Sequence, residues 1–506
     1  MNKFLPTNMT EARSRGWKQL DVILISGDAY VDHPSFGVAL VGRYLESLGV
    51  KVGVIAAPDI NNSKEFTALG EPKWFFGVTS GNLDSMLMHM TASKKRRNND
   101  DYVPENFSAI RPRRAVIAYC NKLRELYDRP PILIGGIEAS LRRFAHYDYW
   151  DNKIRRSILF DARADMLVYG MAENPLNEII QLMKKGKRLA QLRNIKGTSI
   201  ILNKKECEDT RASSLEIHSF DELQLSKNKY SNASKIINKN LSPYNAKTIL
   251  QSYGNRYLCV YPPSMPLAEN ELDRLYALPF TRLPHSKYKE KIAAYEMIKF
   301  SITALRGCFG GCTFCSLSAH QGKEVQSRSV GSILKEVRTV SKMKGFNGHI
   351  SDIGGPTANM YKMYCKDNKI KSVCKKLSCI YPGICKYLKT DHRDLIRMLQ
   401  RARKEKNIKK VFVASGIRFD IANLSQEYIR ELARYHVSGQ LKVAPEHCDS
   451  KVLKYMKKTP FSHFVKFKQR FLEESKRAGL KQFLVPYFMS SHPGCTKTEQ
   501  ISLYEY

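Results

Sequence analysis

Short apolar segments that end in glycine or aspartate alternate with helical segments along most of this sequence. "LDVILISGDAY" (20–30) is an apolar run that stops at a Gly-Asp turn, and "GVALVGRYLESLGV" (37–50) has apolar residues at helical spacing before a glycine. Further segments of the strand form lie at 51–59, 74–82, 130–140 and 164–173. Strands that alternate with helices form a parallel sheet with helices on both faces. Residues 1–200 are therefore predicted to form a Rossmann-like parallel α/β domain.

The carboxyl ends of these strands are the predicted ligand-binding edge of the first domain. In open α/β sheets, ligands bind in the crevice beyond the carboxyl ends of the strands. The residues predicted at this edge are Asp28, Asp32, His33, Gly135, Gly136 and Glu138.

The composition changes between residues 201 and 290. "NKKECEDTRASS" and "SKNKYSNASKIINKN" are polar and rich in lysine and asparagine, which indicates a linker or a loosely packed helical insert. Five prolines follow in "YPPSMPLAENELDRLYALPFTRLPH" (261–285), and residues that precede proline favour extended backbone. This stretch is predicted to be an extended strap between two domains.

A second alternating series occupies residues 291–506. Its predicted strands lie in "IKFSITALRGC", "GHISDIGGPTANMY", "IKKVFVASGIRFD", "GQLKVAPEH" and "KQFLVPYFMSSHPG". Helical segments such as "VGSILKEVRTVSKMKG" (330–345) lie between them. The series predicts five βα units, with Tyr506 inside the fifth helix.

Three cysteines lie within eight positions of the first loop in this second series: Cys308, Cys312 and Cys315. A structural zinc site takes four protein ligands, so three is unusual for zinc. A [4Fe–4S] cluster usually has a cysteine thiolate on each iron, and three thiolates leave one iron open to a small chelating molecule. The tight backbone that such a loop needs is permitted by its glycines, Gly307, Gly310 and Gly311. The loop therefore indicates an incomplete cluster, and a zinc knuckle or free thiols are the alternatives.

The C-x3-C-x2-C loop after the first strand of a βα series resembles the radical S-adenosylmethionine superfamily. Phe314, just before the third cysteine, belongs to the same pattern. The resemblance implies that S-adenosylmethionine chelates the open iron and that one electron cleaves its S–C5′ bond. The resulting 5′-deoxyadenosyl radical abstracts hydrogen from a substrate, and the cofactor carries this chemistry. A one-electron donor such as flavodoxin or ferredoxin is implied as a partner.

Several longer motifs narrow the resemblance to the YgiQ-type radical S-adenosylmethionine proteins, from about residue 15 to 498. They are "DAYVDHPSFG", "PFTRLPH", "SDIGGPTANMY", "ASGIRFD", "KVAPEH" and "PYFMSSHPG". The resemblance implies that residues 291–506 form a partial (β/α) barrel, acting on an unknown substrate. Because such proteins usually run on past this length, we expect a C-terminally shortened chain in which the sixth barrel strand is missing.

The resemblance also implies residues that bind S-adenosylmethionine. Gly354 and Gly355 match the superfamily's glycine pair after the second barrel strand, which contacts the cofactor's amino group. Pro356 stands where the superfamily often has glutamate, so Thr357 or backbone carbonyls are expected to substitute. Phe314 is expected near the adenine. Further candidates for cofactor or substrate contact end the later strands, with ordinary packing as the alternative for each: Ser415, Arg418, Glu446, His447 and His492.

A second set of cysteines, Cys365, Cys374, Cys379 and Cys385, lies within 21 residues. Four thiols fit an all-cysteine zinc site or an auxiliary cluster by count. Their spacing is not that of a common zinc finger, and five interleaved lysines favour thiolates. Metal ligation and reduced, metal-free thiols both stand as interpretations.

The Rossmann-like first domain raises the question of cobalamin, because some radical S-adenosylmethionine proteins carry a cobalamin domain in front of the barrel. Such domains usually offer a D-x-H-x-x-G motif that places histidine under the cobalt. In "VDHPSFG" the Asp and His are adjacent, so the sequence argues against cobalamin and favours a domain that handles substrate or partner.

The net charge of the chain suggests partners, and the lack of long apolar runs suggests a location. Lys and Arg number 83 against 48 Asp and Glu, a net charge of +35 that attracts polyanions and makes RNA a further candidate partner. A nucleic-acid-binding or RNA-modifying protein is therefore one alternative function, and a metal-binding protein without radical activity is the other. A lysine-rich surface without a nucleic-acid partner is the ordinary explanation of the charge. The sequence has neither an apolar run of membrane-spanning length nor a signal peptide, so a cytoplasmic location is expected.

Overall fold

A computed structural model of the chain describes residues 4–105, 107 and 111–506. Its strands, in chain order, are β1 Val22–Ser26, β2 Val52–Ala56, β3 Phe75–Thr79, β4 Ile132–Ile134, β5 His146–Asp148, β6 Lys153–Arg155, β7 Met166–Val168, β8 Thr198–Leu202, β9 Leu215–Ile217, β10 Ile249–Tyr253, β11 Arg256–Val260, β12 Ser301–Thr303, β13 Leu305–Arg306, β14 Gln326–Ser327, β15 His349–Ile350, β16 Asp352–Gly354, β17 Lys410–Val411, β18 Gln440–Glu446 and β19 Phe483–Phe488.

The α-helices alternate with these strands. In chain order they are α1 Met9–Ser14, α2 Gly37–Ser47, α3 Ser63–Thr67, α4 Ser85–His89, α5 Ala115–Leu126, α6 Gly136–Leu141, α7 Ile158–Asp161, α8 Glu173–Lys184, α9 Lys204–Arg211, α10 Phe220–Leu225, α11 Lys227–Lys239, α12 Glu269–Tyr276, α13 Ala293–Ile298, α14 Leu317–His320, α15 Val330–Val340, α16 Asn368–Val373, α17 Arg393–Arg403, α18 Phe419–Ala422, α19 Gln426–Glu431, α20 Ser450–Met456, α21 Ser462–Arg477 and α22 Lys497–Glu505.

The chain divides into two compact units. The N-terminal unit comprises the described residues of Met1–Pro266 together with Leu278–Lys299, and the barrel unit comprises Leu267–Ala277 together with Phe300–Tyr506. Each unit has its own buried apolar core. The helices of the described chain are all too short or too polar to cross a membrane.

A nine-stranded sheet forms the centre of the N-terminal unit, in the order β2-β1-β3-β4-β7-β8-β11-β10-β9. The first five strands of this order are mutually parallel, and every residue of β1 and β2 is buried. Strands covered on both faces consist of continuous apolar runs, which is why the sequence pattern identified them. The prediction of a Rossmann-like parallel α/β domain is confirmed.

The region from 201 to 290, predicted to be a linker and strap, instead supplies strands to this sheet. β11 pairs antiparallel with β8, and β10 pairs antiparallel with β11 in a hairpin that turns at Gly254, where φ is 61°. β9 then completes the edge beside β10. The polar helices α9–α11 between these strands gave the region its linker-like composition, although three residues of each hairpin strand are buried.

The barrel unit is a parallel βα series. β12 pairs with β16, β15 with β17, and β18 with β19, all in parallel, and Ile417 bridges Val443 in the same sense. Each of these parallel strands lies in one of the five segments predicted for this series, and α22 follows the fifth. The short β14, which pairs antiparallel with β13, lies outside the predicted segments. The predicted partial (β/α) barrel is confirmed, and its carboxyl strand ends carry the site described next.

Candidate metal centre

The cysteine loop follows β13 directly, and hydrogen bonds fix its two ends. The Cys308 N–H donates to the Gly322 carbonyl at 3.1 Å, and the Ser318 hydroxyl donates to the Cys308 carbonyl at 3.1 Å. Gly307 has φ of 80°, and the Glu324 carbonyl lies where its Cβ would be. Only glycine fits this position, because both the left-handed backbone and the close approach exclude a side chain.

The loop brings two of its thiols to Gly310. A Cβ on Gly310 would lie 3.3 Å from the Cys308 sulfur and 3.8 Å from the Cys312 sulfur, so glycine keeps a small space between them open. The Cys315 N–H donates to the Cys312 carbonyl at 3.2 Å, which turns the third cysteine back towards the first two. Burial raises the pKa of the Cys315 thiol, and the charges of Cys312 and Cys308 raise it further.

The donor set fits an iron–sulfur cluster. In the part of the chain that the structure describes, no three His, Cys, Asp or Glu side chains converge at the distances of a single metal ion. A cluster does not require such convergence, because each thiolate binds a different iron. Three soft thiolate donors around a glycine-lined space are suited to three corners of one cluster.

Arg418 lies beside the thiols as a buried cation. Its Nη1 donates to the Cys312 sulfur at 3.5 Å, while Nε and Nη2 donate to Asp420 at 3.0 and 2.5 Å. Burial alone would lower the pKa of Arg418, but Asp420 and the cysteine thiolates raise it above its usual range. Arg418 therefore stays charged and stabilises negative charge on the cysteine sulfurs.

Asn359 holds the backbone of Arg418 in place. Its Oδ1 accepts from the Arg418 N–H at 2.8 Å, and its Nδ2 donates to the Arg418 carbonyl at 2.9 Å. Asn359 is fully buried, and this pair of bonds holds the Arg418 backbone, while Asp420 holds the guanidinium.

Cys308 has a separate set of neighbours. The Gly310 N–H donates to its sulfur at 3.4 Å, and the Thr357 hydroxyl lies 3.8 Å from the same atom. Burial raises the pKa of the Cys308 thiol, and the Gly310 and Thr357 bonds act against that shift. The same Thr357 hydroxyl also donates to the Pro356 carbonyl at 2.9 Å.

The glycine pair at the end of β16 packs against its neighbours at both positions. Gly354 has no room for a Cβ beside Ser415, and Gly355 has none beside the Leu305 carbonyl. The Gly354 carbonyl accepts from the Ala304 N–H at 2.7 Å, as part of the strand ladder. Among the described residues nothing donates to the Gly355 carbonyl, which leaves this half-buried oxygen available to a ligand.

Ser415, predicted as a ligand contact, is bonded to Asp352. The Asp352 carboxylate accepts from the Ala414 and Ser415 N–H groups at 2.8 and 3.0 Å, and from the Ser415 hydroxyl. Burial raises the pKa of Asp352, and these hydrogen bonds oppose the shift. The contact joins the start of β16 to the loop after β17.

Phe314 and His492, predicted at separate positions, are brought together. Their ring centroids lie 6.4 Å apart, and Phe314 packs against Val452, Leu453 and Met456 of α20. Phe314 therefore packs the loop against α20, and the neighbouring Thr313 N–H donates to the Met456 carbonyl at 3.2 Å. The expected place of Phe314 near the adenine stays a prediction.

Glu446 ends β18 with an unusual backbone. Its φ is 72°, a left-handed conformation that costs a non-glycine residue free energy and is concentrated at functional sites. Its carboxylate lies 3.8 Å from the Lys458 ammonium, which donates to the Ala444 carbonyl at 2.6 Å. Burial raises the pKa of Glu446 and lowers that of Lys458. His447 is fully buried, with Nδ1 accepting from the Asp449 N–H at 3.0 Å.

The residues predicted at the ligand edge of the N-terminal unit have protein partners. Asp28 accepts from Arg111 at 2.8 Å and from the Asn82 N–H at 2.7 Å, and Asp32 accepts from Arg43. The others lie nearby: Glu138 accepts from the Ser85 N–H at 2.9 Å, Gly136 begins α6 with φ of 82°, and Gly135 precedes it. Ion pairs and backbone bonds therefore occupy this edge.

His33 does not offer cobalt an accessible ligand. The ring is fully buried, its Nδ1 accepts from the Ser35 N–H at 3.1 Å, and its Nε2 has no hydrogen-bond partner. The residues in "VDHPSFG" therefore do not fit an axial cobalt ligand, and no step of the reaction is derived through cobalamin.

Four polar residues of the site were missed by sequence reasoning: Asp352, Asn359, Asp420 and Lys458. Three of them lie inside or at the end of quoted motifs, "SDIGGPTANMY" and "ASGIRFD", so position in a motif was the available signal. Lys458 is one of many lysines in the sequence and carried no such signal.

The barrel and its C-x3-C-x2-C loop define a radical S-adenosylmethionine protein. Residues 4–301 match the family described as radical SAM N-terminal, and residues 302–499 match the radical SAM superfamily. Together the two families account for nearly the whole chain.

Close relatives specify the family. A UPF0313 protein of Methanocella arvoryzae is 47% identical over 496 residues, which are 98% of this chain and 82% of that protein. One from Clostridium botulinum is 46% identical over 507 residues, covering 99% of this chain and 78% of that protein. The chain belongs to the UPF0313 family, the YgiQ-type proteins, which confirms the resemblance seen in the sequence.

Two solved structures share the fold. The radical S-adenosylmethionine methyltransferase TsrM from Kitasatospora setae, with tryptophan substrate and the analog aza-SAM bound, has a TM-score of 0.51 at 15% identity, covering 96% of this chain and 70% of TsrM. OxsB, a cobalamin-dependent S-adenosylmethionine radical enzyme with aqua-cobalamin bound, has a TM-score of 0.51 at 11% identity, covering 96% of this chain and 52% of OxsB.

The prediction against cobalamin is wrong. OxsB shares the fold of this chain over both units and is cobalamin-dependent, so the missing D-x-H-x-x-G motif does not exclude that cofactor. The motif reports one way of placing a ligand under cobalt, whereas the fold is common to chains that differ in this detail.

Proposed function

We propose that this protein is a radical S-adenosylmethionine enzyme in which Cys308, Cys312 and Cys315 hold three irons of a [4Fe–4S] cluster. S-adenosylmethionine completes the coordination of the fourth iron. The observation that carries the proposal is the space at Gly310, which two of the thiols and Arg418 enclose at the carboxyl end of the barrel strands. When bound, the cluster and S-adenosylmethionine together supply a 5′-deoxyadenosyl radical that abstracts hydrogen from a substrate.

The protein's own residues keep the thiols in the form that binds iron. Thiolates, not thiols, are the metal ligands, and burial opposes their formation. The Gly310 N–H offsets that effect at Cys308, and Arg418 donates a hydrogen bond to the Cys312 sulfur. Asp420 and Asn359 hold Arg418 in this position through its side chain and backbone, respectively.

The end of β16 binds the amino group of S-adenosylmethionine in this proposal. The Gly355 carbonyl is the available acceptor, because the Gly354 carbonyl is engaged by Ala304 and Pro356 offers no carboxylate. Thr357 lies at the Cys308 sulfur and so positions the cluster side of the site. Phe314 packs the loop against α20, which fixes the third cysteine.

Glu446 and Lys458 are the candidate groups for the substrate side. They lie at the carboxyl end of β18, where active sites of such barrels are found, and the charges of both interact with loop cysteines. A donor of the flavodoxin or ferredoxin type would supply the electron that the chemistry consumes.

The test is product formation by protein prepared without oxygen. With dithionite and S-adenosylmethionine we expect 5′-deoxyadenosine, and we expect the EPR spectrum of the reduced protein to change when S-adenosylmethionine is added. Cys312→Ala should abolish both results. The matched control is Cys448→Ala, a half-buried cysteine outside both cysteine sets, which should leave both intact. Product formation by Cys312→Ala at the wild-type rate would falsify the assignment.

A further inference from the structure

A second cysteine segment, Cys365–Cys385, lies between β16 and α17 in the barrel unit. Apart from the short helix α16, its backbone is held by isolated contacts. Cys365 forms an antiparallel bridge with Leu388, and the Leu388 N–H donates to the Cys385 carbonyl at 2.9 Å. The Cys385 N–H in turn donates to the Cys379 carbonyl at 2.8 Å. These contacts connect the first cysteine of the segment with its last two.

The thiols of Cys374, Cys379 and Cys385 lie close enough for their charges to interact, and the Cys365 thiol donates to the Asp367 carbonyl at 3.5 Å. Burial raises the pKa of Cys379 to about 12, Lys323 lowers it, and the nearby charges of Cys385 and Cys374 raise it. The Lys323 ammonium lies 3.7 Å from the Cys374 sulfur and donates to the Lys376 carbonyl at 2.9 Å. A lysine thus faces the group of thiols as Arg418 faces Cys312.

The second cysteine segment also contacts the cluster loop. The Cys379 N–H donates to the Phe309 carbonyl at 3.0 Å, and the Ser378 hydroxyl donates to the Gly310 carbonyl at 2.7 Å. A Cβ on Gly311 would lie 2.6 Å from the Leu377 carbonyl, so the two segments pack backbone to backbone. The contacts fall between Cys308 and Cys312, which places the second group of thiols beside the first.

We propose that Cys365, Cys374, Cys379 and Cys385 bind a second iron–sulfur cluster, one thiolate to each iron, beside the cluster loop. Each thiol releases its proton to solvent as its sulfur–iron bond forms. A four-cysteine zinc site with bonds of about 2.3 Å would hold its sulfurs about 3.8 Å apart. Within the described residues neither cysteine set converges on one ion in this way. A cluster does not require such convergence, because each thiolate binds a different iron.

The proposal goes beyond the proposed function, and the two are tested separately by the metal that each variant retains. The wild-type protein, purified and reconstituted without oxygen, should hold about eight irons and about eight sulfides per chain if both clusters are [4Fe–4S]. The triple variant Cys308→Ala/Cys312→Ala/Cys315→Ala should keep about four irons and the Mössbauer signature of a [4Fe–4S] cluster. The variant Cys379→Ser/Cys385→Ser should lose about four irons and still change its EPR spectrum with S-adenosylmethionine.

The possible outcomes separate the two proposals. Loss of all iron from the triple variant, or zinc in place of iron at the second set, overturns the second cluster and leaves the proposed function standing. If the triple variant retains about four irons but the wild-type protein shows no response to S-adenosylmethionine, the second cluster stands and the proposed function is overturned. The triple variant keeps all four cysteines of the second segment. Its iron content therefore tests the second cluster even if the Cys379→Ser/Cys385→Ser variant misfolds. Cys448→Ala, with wild-type iron, is the control for cysteine loss in itself.

Discussion

Asp352 is the residue whose ionisation most directly links the candidate site to stability. Its carboxylate accepts three hydrogen bonds from Ala414 and Ser415, two of them from backbone N–H groups. Even so, burial raises its pKa above the usual 3.8. The folded protein therefore holds the Asp352 proton more tightly than the unfolded chain does, and this contribution to stability is largest at low pH.

The Asp352→Asn variant tests that link. Below pH 3.8 the wild-type protein has the full contribution of protonated Asp352, and it loses this contribution as pH rises through the raised pKa of the folded state. For one proton the slope is at most about 1.4 kcal/mol per pH unit. Asn keeps the hydrogen bonds, because its carbonyl accepts from both N–H groups and its amide donates to the Ser415 hydroxyl.

We therefore expect the free energy of unfolding of Asp352→Asn, relative to wild type, to rise between pH 4 and pH 7. Urea denaturation across this range measures it. The exposed carboxylate of Asp209 provides the control, since Asp209→Asn removes a charge that folding does not desolvate. Parallel curves for the wild type and Asp352→Asn would show that Asp352 titrates alike in both states.

Arg418 and Asp420 show why a buried charge persists beside the thiols. Both side chains are almost fully buried, and the pKa of Asp420, which burial alone would raise, is lowered by Arg418. Removing one partner of a buried ion pair typically costs about 3–5 kcal/mol, whereas replacing both by apolar residues is often neutral. Arg418 contacts both Asp420 and Cys312, so its retention fits a role towards the thiol rather than towards stability.

At the scale of elements, the parallel strands could be predicted because burial on both faces leaves an apolar signature. β1, β2 and β3 are largely apolar runs, and each observed strand lies within the segment that the sequence predicted. The hairpin of β10 and β11 was missed because "ILQSY" and "RYLCV" mix polar with apolar residues. Such strands are recognised by the sheet edge they join, which is a long-range feature that local sequence does not carry.

Some parts of the candidate site could likewise be predicted from the sequence, and others could not. The cysteine loop and the glycine pair could be predicted, because their chemistry requires those residue types at fixed spacing. The partners of these residues come from distant segments: Arg418 reaches Cys312 from 106 residues away, and Asn359 reaches Arg418 from 59. Nothing in the local sequence specifies which polar side chain will be buried beside a given thiol.

β19 is the element with the most exposed apolar side chains of its series. Phe483 is 54% exposed and Tyr487 is 63% exposed, and among the described strands β19 pairs only with β18. An edge strand with unpaired N–H and carbonyl groups and apolar side chains is a template for pairing with another chain. Pro486 removes one donor from this edge, as is common in edge strands, but leaves the remaining groups.

We therefore expect this chain to self-associate through β19 at high concentration. Phe483→Lys/Tyr487→Lys should shift the protein towards the monomer, since charged side chains on an edge strand oppose pairing. Size-exclusion chromatography with light scattering measures the effect. Leu225→Lys is the matched control, because this leucine is 88% exposed but lies at the end of α10. Equal monomer fractions for wild type and the double variant would place the association elsewhere.

At the scale of the whole molecule, the excess of basic residues is the property that local structure does not explain. The net charge of +35 is spread along the chain. A charge of this size attracts polyanions before any specific contact forms. The relatives extend beyond this chain, which spans 82% and 78% of the two described above.

RNA binding by the intact protein should consequently depend steeply on salt. A protein that neutralises about four phosphates of a single strand loses roughly fifty-fold in affinity between about 50 and about 200 mM salt, because bound counterions are released. The exposed residues Lys95 and Arg96 belong to the basic cluster "SKKRRNND", so Lys95→Gln/Arg96→Gln should lower the slope of log affinity against log salt by about 1.4 if both contact phosphate. Fluorescence anisotropy with a poly(U) oligonucleotide measures the slope, and the charge-conserving Lys95→Arg/Arg96→Lys variant should leave it unchanged. A slope near zero for the wild type would mean that the positive charge is balanced by solvent ions alone and that RNA is not a partner of this surface.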